Sequence, residues 1–445
     1  MHDAGSSALG PARTLALVRM VAGALLVISG DVHMAPRYAG LDPALIAPPP
    51  GVDWLRAVDP SPQLSMLLVW VVVGCAAAGA VGLYARAAFG VVACGLFVLL
   101  ALPHRLGSVT HSHHLIWVSA LLAASPCADV WSADCYFAPR TLRPPAAYGL
   151  PLGVLRALVA CVYFFPGLHK LRVILSGVSL EDWMRSHLAW KWLQHGGAPP
   201  VFRALSPRWF GLLAASAIGF ELGMPLLVAF RRTRPLSLLS AIGFHLGTAW
   251  LLFIRFESLA VLLASLVDLP PRGARLTLLD LRQAGARATW VVGMVLVGGA
   301  LLTGFGAQTQ QYPFACYPTF AEPSPPTMPS ARIVLRTDGR RCALPRARTS
   351  PQWIAAFRIA GAYGDELTPR RASAYVQHTW RALGNASRCS VSANTQVELW
   401  LERLAWDFEQ ATPSVVAERV VYTEAASALG MAPAGGTNAS SSPER

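Results

Sequence analysis

Residues 64–83 read LSMLLVWVVVGCAAAGAVGL, twenty in a row without a charge. At 1.5 Å per residue, a helix of that length reaches across the ~30 Å hydrocarbon layer of a bilayer. Further apolar runs lie at 15–28, 88–102, 115–124, 150–167, 210–229, 236–253, 259–269 and 289–305. They predict an all-α polytopic membrane helical bundle of about eight or nine spans, with the two shortest runs tilted or re-entrant. Composition agrees: 54% of the 445 residues are apolar and only 14% charged, against about 25% charged in soluble domains. The first run, with Arg13 before it and Arg19 within it, lacks a small-x-small cleavage site and reads as a retained helix.

The formal net charge of +13 comes from arginines scattered among short loops. No basic stripe with interleaved aromatics is present, so nucleic acid is not an expected partner. Arg231, Arg232 and Arg234, with Arg272, Arg275, Arg282 and Arg287, mark cytoplasmic loops under the positive-inside rule. With nine spans this places the N-terminus inside, and the segment carrying Lys170 and Lys191 outside together with everything after residue 305. The segment 170–208 is unusually basic for an outer loop, unless it folds back into the protein as a site. The expected location is a bacterial inner membrane.

Beyond residue 305 the character of the chain changes. A connector, 306–330, holds YPFACYPTF and EPSPPTMPS. Residues 331–430 have the pattern of a small extracytoplasmic α+β domain, and 431–445 read as a disordered tail. RIVLRTDGRRC is a strand entering a turn, 351–359 and 369–383 are helical, and QVELWLERLAWDF and SVVAERVVYTEA are strands or a final hairpin. Five of the eight cysteines sit in or beside apolar runs as small core residues. Of Cys316, Cys342 and Cys389, the last two fall inside the domain, and their pairing is favoured in an oxidising compartment. No CxxC or Cys/His ligand spacing occurs, so no metal site is expected.

Four constellations carry chemistry. Only two of the 37 basic residues are lysines, Lys170 and Lys191. Lys170 closes the aromatic stretch Tyr163-Phe164-Phe165-Pro166-Gly167-Leu168-His169-Lys170. Lysine can lose its proton in an apolar site, as arginine cannot, while Pro166 should kink the helix and free a carbonyl. The bland alternative for Lys170 is a side chain snorkelling to the headgroups. Glu221, in GFELGMPLL, is a carboxylate inside a span and needs a partner or a cavity. His245, in AIGFHLGTAWLLF, is a lone mid-span histidine that can be a core residue or a proton carrier. His111, His113 and His114 precede the run at 115–124, with WSAD following at 131–134.

The order HSHHL, WSAD, YFFPGLHKL, ELGMPL, FHLG resembles the HTTM domain, the membrane domain shared with vitamin K-dependent gamma-carboxylase, over about residues 10–305. The resemblance implies that Lys170 matches the lysine that deprotonates vitamin K hydroquinone. Oxygen then carries the anion toward the epoxide through a strongly basic alkoxide, which removes a γ-proton from a glutamyl side chain, and the carbanion takes up carbon dioxide. It also implies a reduced quinone, oxygen and carbon dioxide as co-substrates. Lys170, His245, Glu221 and His169 are then the candidate catalytic residues, with Tyr163, His111, His113 and His114 binding substrate. Three features depart from the pattern: His169 stands where the carboxylase has a second lysine, the family's following tryptophan is displaced to Trp183, and the Asn/His pattern before the leucine-rich helix is replaced by the cluster from His111 to His114, which leaves open which histidine matches the family's. The C-terminal part does not resemble the carboxylase's peptide-binding region, so any protein or peptide partner of that domain is a separate question.

A second reading is a non-enzymatic membrane module, of anchoring, binding or immunity type, that displays the outer domain. Lys170, Glu221 and His245 would then be structural partners. Geometry separates the two, because an enzyme needs Lys170, a histidine and Glu221 converging on one cavity.

Overall fold

The computed structural model describes residues 3–48, 53–106, 111–139, 141–195, 197–199, 206–270, 287–308, 311–315, 324–344, 367–383, 389, 391, 392, 394–408, 410 and 412–431. Two compact units emerge, the first from residues 1–40, 48–188 and 205–324, the second from 41–47, 189–204 and 325–445.

The first unit is helical. Its main helices are α1 (Asp3–Ile28), α2 (Pro62–Val81), α3 (Ala85–Leu99), α4 (His114–Ala124), α5 (Pro145–Leu175), the start of α6 (Leu180–His195), α7 (Pro207–Ala229), α8 (Arg234–Leu251), α9 (Leu259–Leu263) and α10 (Arg287–Phe305). Among the described residues six helices are long and apolar enough to cross a membrane: α1, α2, α3, α5, α7 and α10. The other three runs depart from simple spans. The run 115–124 falls in α4, of 11 residues. Run 236–253 falls on α8, 18 residues long but carrying Arg234 and His245, and run 259–269 breaks into the five-residue α9 and a 3-10 turn at Ala264–Leu266.

Local chemistry sets the ends of these helices. Ser61 caps α2, its Oγ accepting from the Leu64 amide at 3.1 Å, with Pro62 in the first turn. Gly82 ends α2 at φ +79°, a conformation glycine adopts without strain. The Arg19 guanidinium, fully buried in α1, donates to the carbonyls of Cys127 (2.8 Å), Ala80 (3.3 Å), Val130 (3.3 Å) and Trp131. A buried charge is tolerable only with such partners, and these tie α1 to the end of α2 and to the loop after α4.

The helices that hold the site touch at glycines. A Cβ on Gly167 would lie 2.8 Å from Glu221 Cβ and 3.1 Å from the Leu222 amide nitrogen, so α5 and α7 meet backbone to backbone there. Gly293 takes the Val154 side chain in the same way, and Gly304 takes the Phe165 ring, packing α10 onto α5. Such small-residue contacts let helices approach closely where apolar burial alone drives little association in lipid.

The second unit contains a four-stranded antiparallel sheet in the order β2-β1-β3-β4, with β1 Thr327–Thr337, β2 Arg340–Ala343, β3 Gln396–Asp407 and β4 Thr412–Ala425. The Asp338-Gly339 turn, both residues at positive φ, closes the β1–β2 hairpin. Helix α11 (Pro369–Leu383) supplies the buried Tyr375 and Val376. A disulfide joins Cys342 to Cys389 across 47 residues, the pairing expected from the sequence. The strand β1 begins at Thr327, within the stretch read as connector. Residues 351–359, expected to be helical, and Cys316 lie outside the described residues.

Candidate functional site

Four helices of the first unit surround a cavity of about 470 Å³, with α4 and the start of α9 adding to its wall. α5 contributes Val162, Tyr163, Pro166 and Lys170, α7 contributes Phe220 and Glu221, α8 contributes Phe244 and His245, and α6 contributes Trp183, Met184, His187 and Leu188. Residues 163, 166 and 170 fall on one stripe of α5 because seven residues make nearly two turns, about 10 Å along the axis.

Lys170 Nζ donates to Glu221 Oε1. The two residues are 5% and 4% exposed, so this is a buried ion pair and not a snorkelling lysine. The Gly167 contact explains it: one turn before Lys170, the missing Cβ lets α7 approach until Glu221 is within reach. Glu221 Oε2, equally buried, has no hydrogen-bond partner among the described residues. One carboxylate oxygen is thus held by the lysine, while the other is an unfilled acceptor on a residue that lines the cavity.

A second polar pair stands two turns away. Tyr163 Oη and His245 Nε2 are 2.5 Å apart, and His245 Nδ1 has no hydrogen-bond partner among the described residues. Aromatic rings pack around the pair: Phe220 lies 5.3 Å from the Tyr163 ring centroid, and Phe256 lies 5.2 Å from that of His245.

Proline adds two acceptors. Pro166 and Pro225 both lie inside continuous helices, so α5 runs through Pro166 instead of ending there. Each lacks the N–H that would normally bond the carbonyl four residues earlier. Those carbonyls belong to Val162 and to Glu221, which both line the cavity.

The other candidate residues are distributed differently. His114 lines the cavity, its Nε2 2.7 Å from Ser258 Oγ. His113 is buried with its ring 5.0 Å from that of Trp117 and is not part of the cavity wall. His169 is also outside the wall: its Nε2 lies 2.9 Å from the Gly304 carbonyl. A carbonyl only accepts, so that nitrogen carries the proton and His169 links α5 to α10. The side chain of His111 lies outside the described residues.

Sequence reasoning missed the wall supplied by α6. Trp183, Met184, His187 and Leu188 recur at i, i+1, i+4 and i+5, a one-face helical pattern present in the sequence but set in a segment too polar to read as a span. His187 Nδ1 is 2.8 Å from Ser324 Oγ, and its ring stacks edge-on to Trp183 at 4.7 Å. Of the basic segment after Lys170, the stretch from Trp183 to Leu188 therefore does fold back on the cavity.

The chain matches the HTTM domain over residues 10–271, well over half its length and a stretch that includes Lys170, Glu221 and His245. No curated protein and no solved structure matches it. On the strength of that match, this membrane protein with its paired, buried lysine belongs to the HTTM domain family.

Proposed function

We propose that the cavity binds a lipid-soluble hydroxy-aromatic of the reduced-quinone class, and that Lys170 and Glu221 together remove a proton from its hydroxyl. The observation that carries this reading is the unfilled Glu221 Oε2 beside a buried Lys170, on an apolar and aromatic wall. The residues present suit such a group. A volume of about 470 Å³ falls within the ~300–1,000 Å³ of small-molecule sites, the phenylalanine rings suit a flat aromatic, and the acceptors suit a hydroxyl.

Lys170 is a base only once it is neutral. Its hydrogen bond to Glu221 provides the route: a proton passed from Nζ to Oε1 converts ammonium and carboxylate into amine and carboxylic acid with no change in net charge. The amine then takes the hydroxyl proton, and the regenerated ammonium stays beside the new oxyanion, so the site remains neutral overall. Low dielectric makes that neutrality necessary. Tyr163 and His245, two turns away, orient the far end of the ring. What a reduced quinone supplies when bound is two electrons for oxygen, the chemistry that carboxylation with carbon dioxide uses in the resembling enzyme.

Lys170→Arg tests this, because it keeps the charge but cannot release a proton near neutrality. The expected outcome is an inserted, folded protein that has lost oxygen-dependent quinol epoxidation, with Lys191→Arg nearly unchanged. Equal epoxidation by wild type and Lys170→Arg would overturn the assignment. No epoxidation in wild type with any quinol would favour the non-enzymatic module, in which the Lys170–Glu221 and Tyr163–His245 pairs serve only each other.

We also propose that the second unit lies outside the cytoplasm, most simply at a bacterial inner membrane. The Cys342–Cys389 disulfide supports this, since such bonds persist in oxidising compartments, as do the arginines that mark the opposite loops.

A further inference from the structure

Val162 and Pro166 of α5 line not only the main cavity but also a second, much smaller one of about 20 Å³. Cys161 and Phe165 of α5, Trp117 of α4, Ala300 and Thr303 of α10, and Phe314 complete its wall. The gap exists because α10 is built of small residues here. Gly299 takes the Phe314 ring, which would lie 2.7 Å from an added Cβ, and Gly304 takes the Phe165 ring. Between those glycines, Ala300 and Thr303 are too short to fill the space the rings leave. The rings are themselves fixed: Phe314 stacks on Trp117 at 5.7 Å, Trp117 Nε1 donates to the Pro313 carbonyl at 2.9 Å, and Phe165 sits edge-on to Phe305 at 5.0 Å. A void that close packing would otherwise remove is held open.

Size and polarity limit what fits. The volume is little more than the ~10–15 Å³ that one water needs, so the pocket takes one small molecule and no ring. A buried water also requires about two to four hydrogen-bond partners. The side-chain donors here are spent: Trp117 Nε1 serves Pro313, and Thr303 Oγ1 donates to the Gly299 carbonyl at 2.9 Å, which leaves the weak Cys161 thiol. Apolar cavities of this kind stay dry and take up apolar guests such as xenon. Three aromatic rings in the wall supply dispersion contacts for such a guest. Cys161 and Thr303 are only half-buried, and the helices that carry them, α5 and α10, are both long and apolar enough to cross a membrane. A guest entering past them comes from hydrocarbon, where apolar solutes concentrate relative to water.

We propose that this pocket holds one molecule of a small apolar gas against Val162 and Pro166, and that the gas is dioxygen. The identity of the gas rests on the reading of the main cavity as a quinol site; the pocket's affinity for an apolar gas does not.

Crystals of the full chain under xenon pressure test the pocket. Anomalous density is expected beside Trp117, Phe165 and Ala300. Ala300→Val, which adds two methyl groups to the wall, should abolish that density, while Cys161→Ala, which enlarges the pocket and removes its last weak donor, should keep or strengthen it. Ordered water in the wild-type pocket, xenon bound elsewhere but not here, or density unaltered in Ala300→Val would overturn the proposal. Oxygen uptake tests the identity of the gas. Ala300→Val should raise the KM for oxygen severalfold while leaving the KM for quinol and kcat at saturating oxygen unchanged, a split that a general loss of packing would not produce. An unchanged oxygen KM in a variant that has lost the xenon site would overturn the assignment to dioxygen. Wild-type protein that binds xenon here but turns over no quinol would refute the quinol reading, and dioxygen with it, and leave the gas pocket standing.

Discussion

Replacing Lys170 with Met leaves the Glu221 carboxylate 4% exposed and without its only hydrogen-bond partner among the described residues. Breaking a buried pair from one side costs about 3–5 kcal/mol, because the remaining charge stays desolvated. Glu221→Leu should cost a similar amount by stranding the ammonium. The double variant Lys170→Met/Glu221→Leu removes both charges from a wall that is otherwise apolar, and it should recover most of the loss or exceed wild-type stability by about 1–4 kcal/mol. Unfolding of the solubilised protein, followed by tryptophan fluorescence in a thermal or denaturant series, gives all four corners of the cycle. Single variants within about 1 kcal/mol of wild type would mean a solvated surface-type pair and would refute the buried arrangement. A stable but inactive double variant would show that the pair is retained for chemistry at the expense of stability.

Gly167→Ala should destabilise by about 1–3 kcal/mol through overpacking and should lower activity further by moving Glu221 from Lys170; a neutral effect in both assays would contradict the backbone-to-backbone contact. Cys342→Ser should cost the second unit about 4 kcal/mol, the loop-closure estimate for a 47-residue separation. A reporter fused after Gly430 should be active only when exported, and cytoplasmic activity would remove the proposed topology. Lys191, whose Nζ donates to Gln194 Oε1 at 3.2 Å, is lowered by burial from 10.5 to about 8. Between those values the unfolded chain holds more protons than the folded one, so stability should rise with pH from about 8 to 10.5. Lys191→Met should flatten that rise as seen in thermal midpoints.

Much of this was legible in the chain because lipid imposes simple demands. A run such as 64–83 must be a helix, since no other open structure satisfies its backbone in hydrocarbon, and it folds as α2. Glu221 declared a partner or a cavity by its setting alone, and it has both. The sheet of the second unit was readable from the alternation in QVELWLERLAWDF and the Asp-Gly turn. Other features depended on the third dimension. Run 236–253 carries His245 and starts beside Arg234, so its polarity reports the neighbours it meets and not its depth. His113, His114 and His169 look alike as buried histidines in sequence, and only packing separates the one that faces the cavity from the one that bonds a helix carbonyl. α6 was hidden because its apolar residues cover one face only, while Glu181, Asp182 and Arg185 dilute the signal. The meeting of Arg156 and Arg234 on Asp268 joins positions 112 and 34 residues apart, beyond the reach of any local pattern.

The most direct test is a density map of the purified protein with a non-oxidisable quinol ether or a quinone added. The expected result is a ring in the cavity packed against the stacked Phe220 and Phe244, with an oxygen accepting from Lys170 Nζ. Density for the added compound elsewhere, with the Lys170–Glu221 pair intact and its cavity filled by acyl chain at saturating ligand, would contradict it.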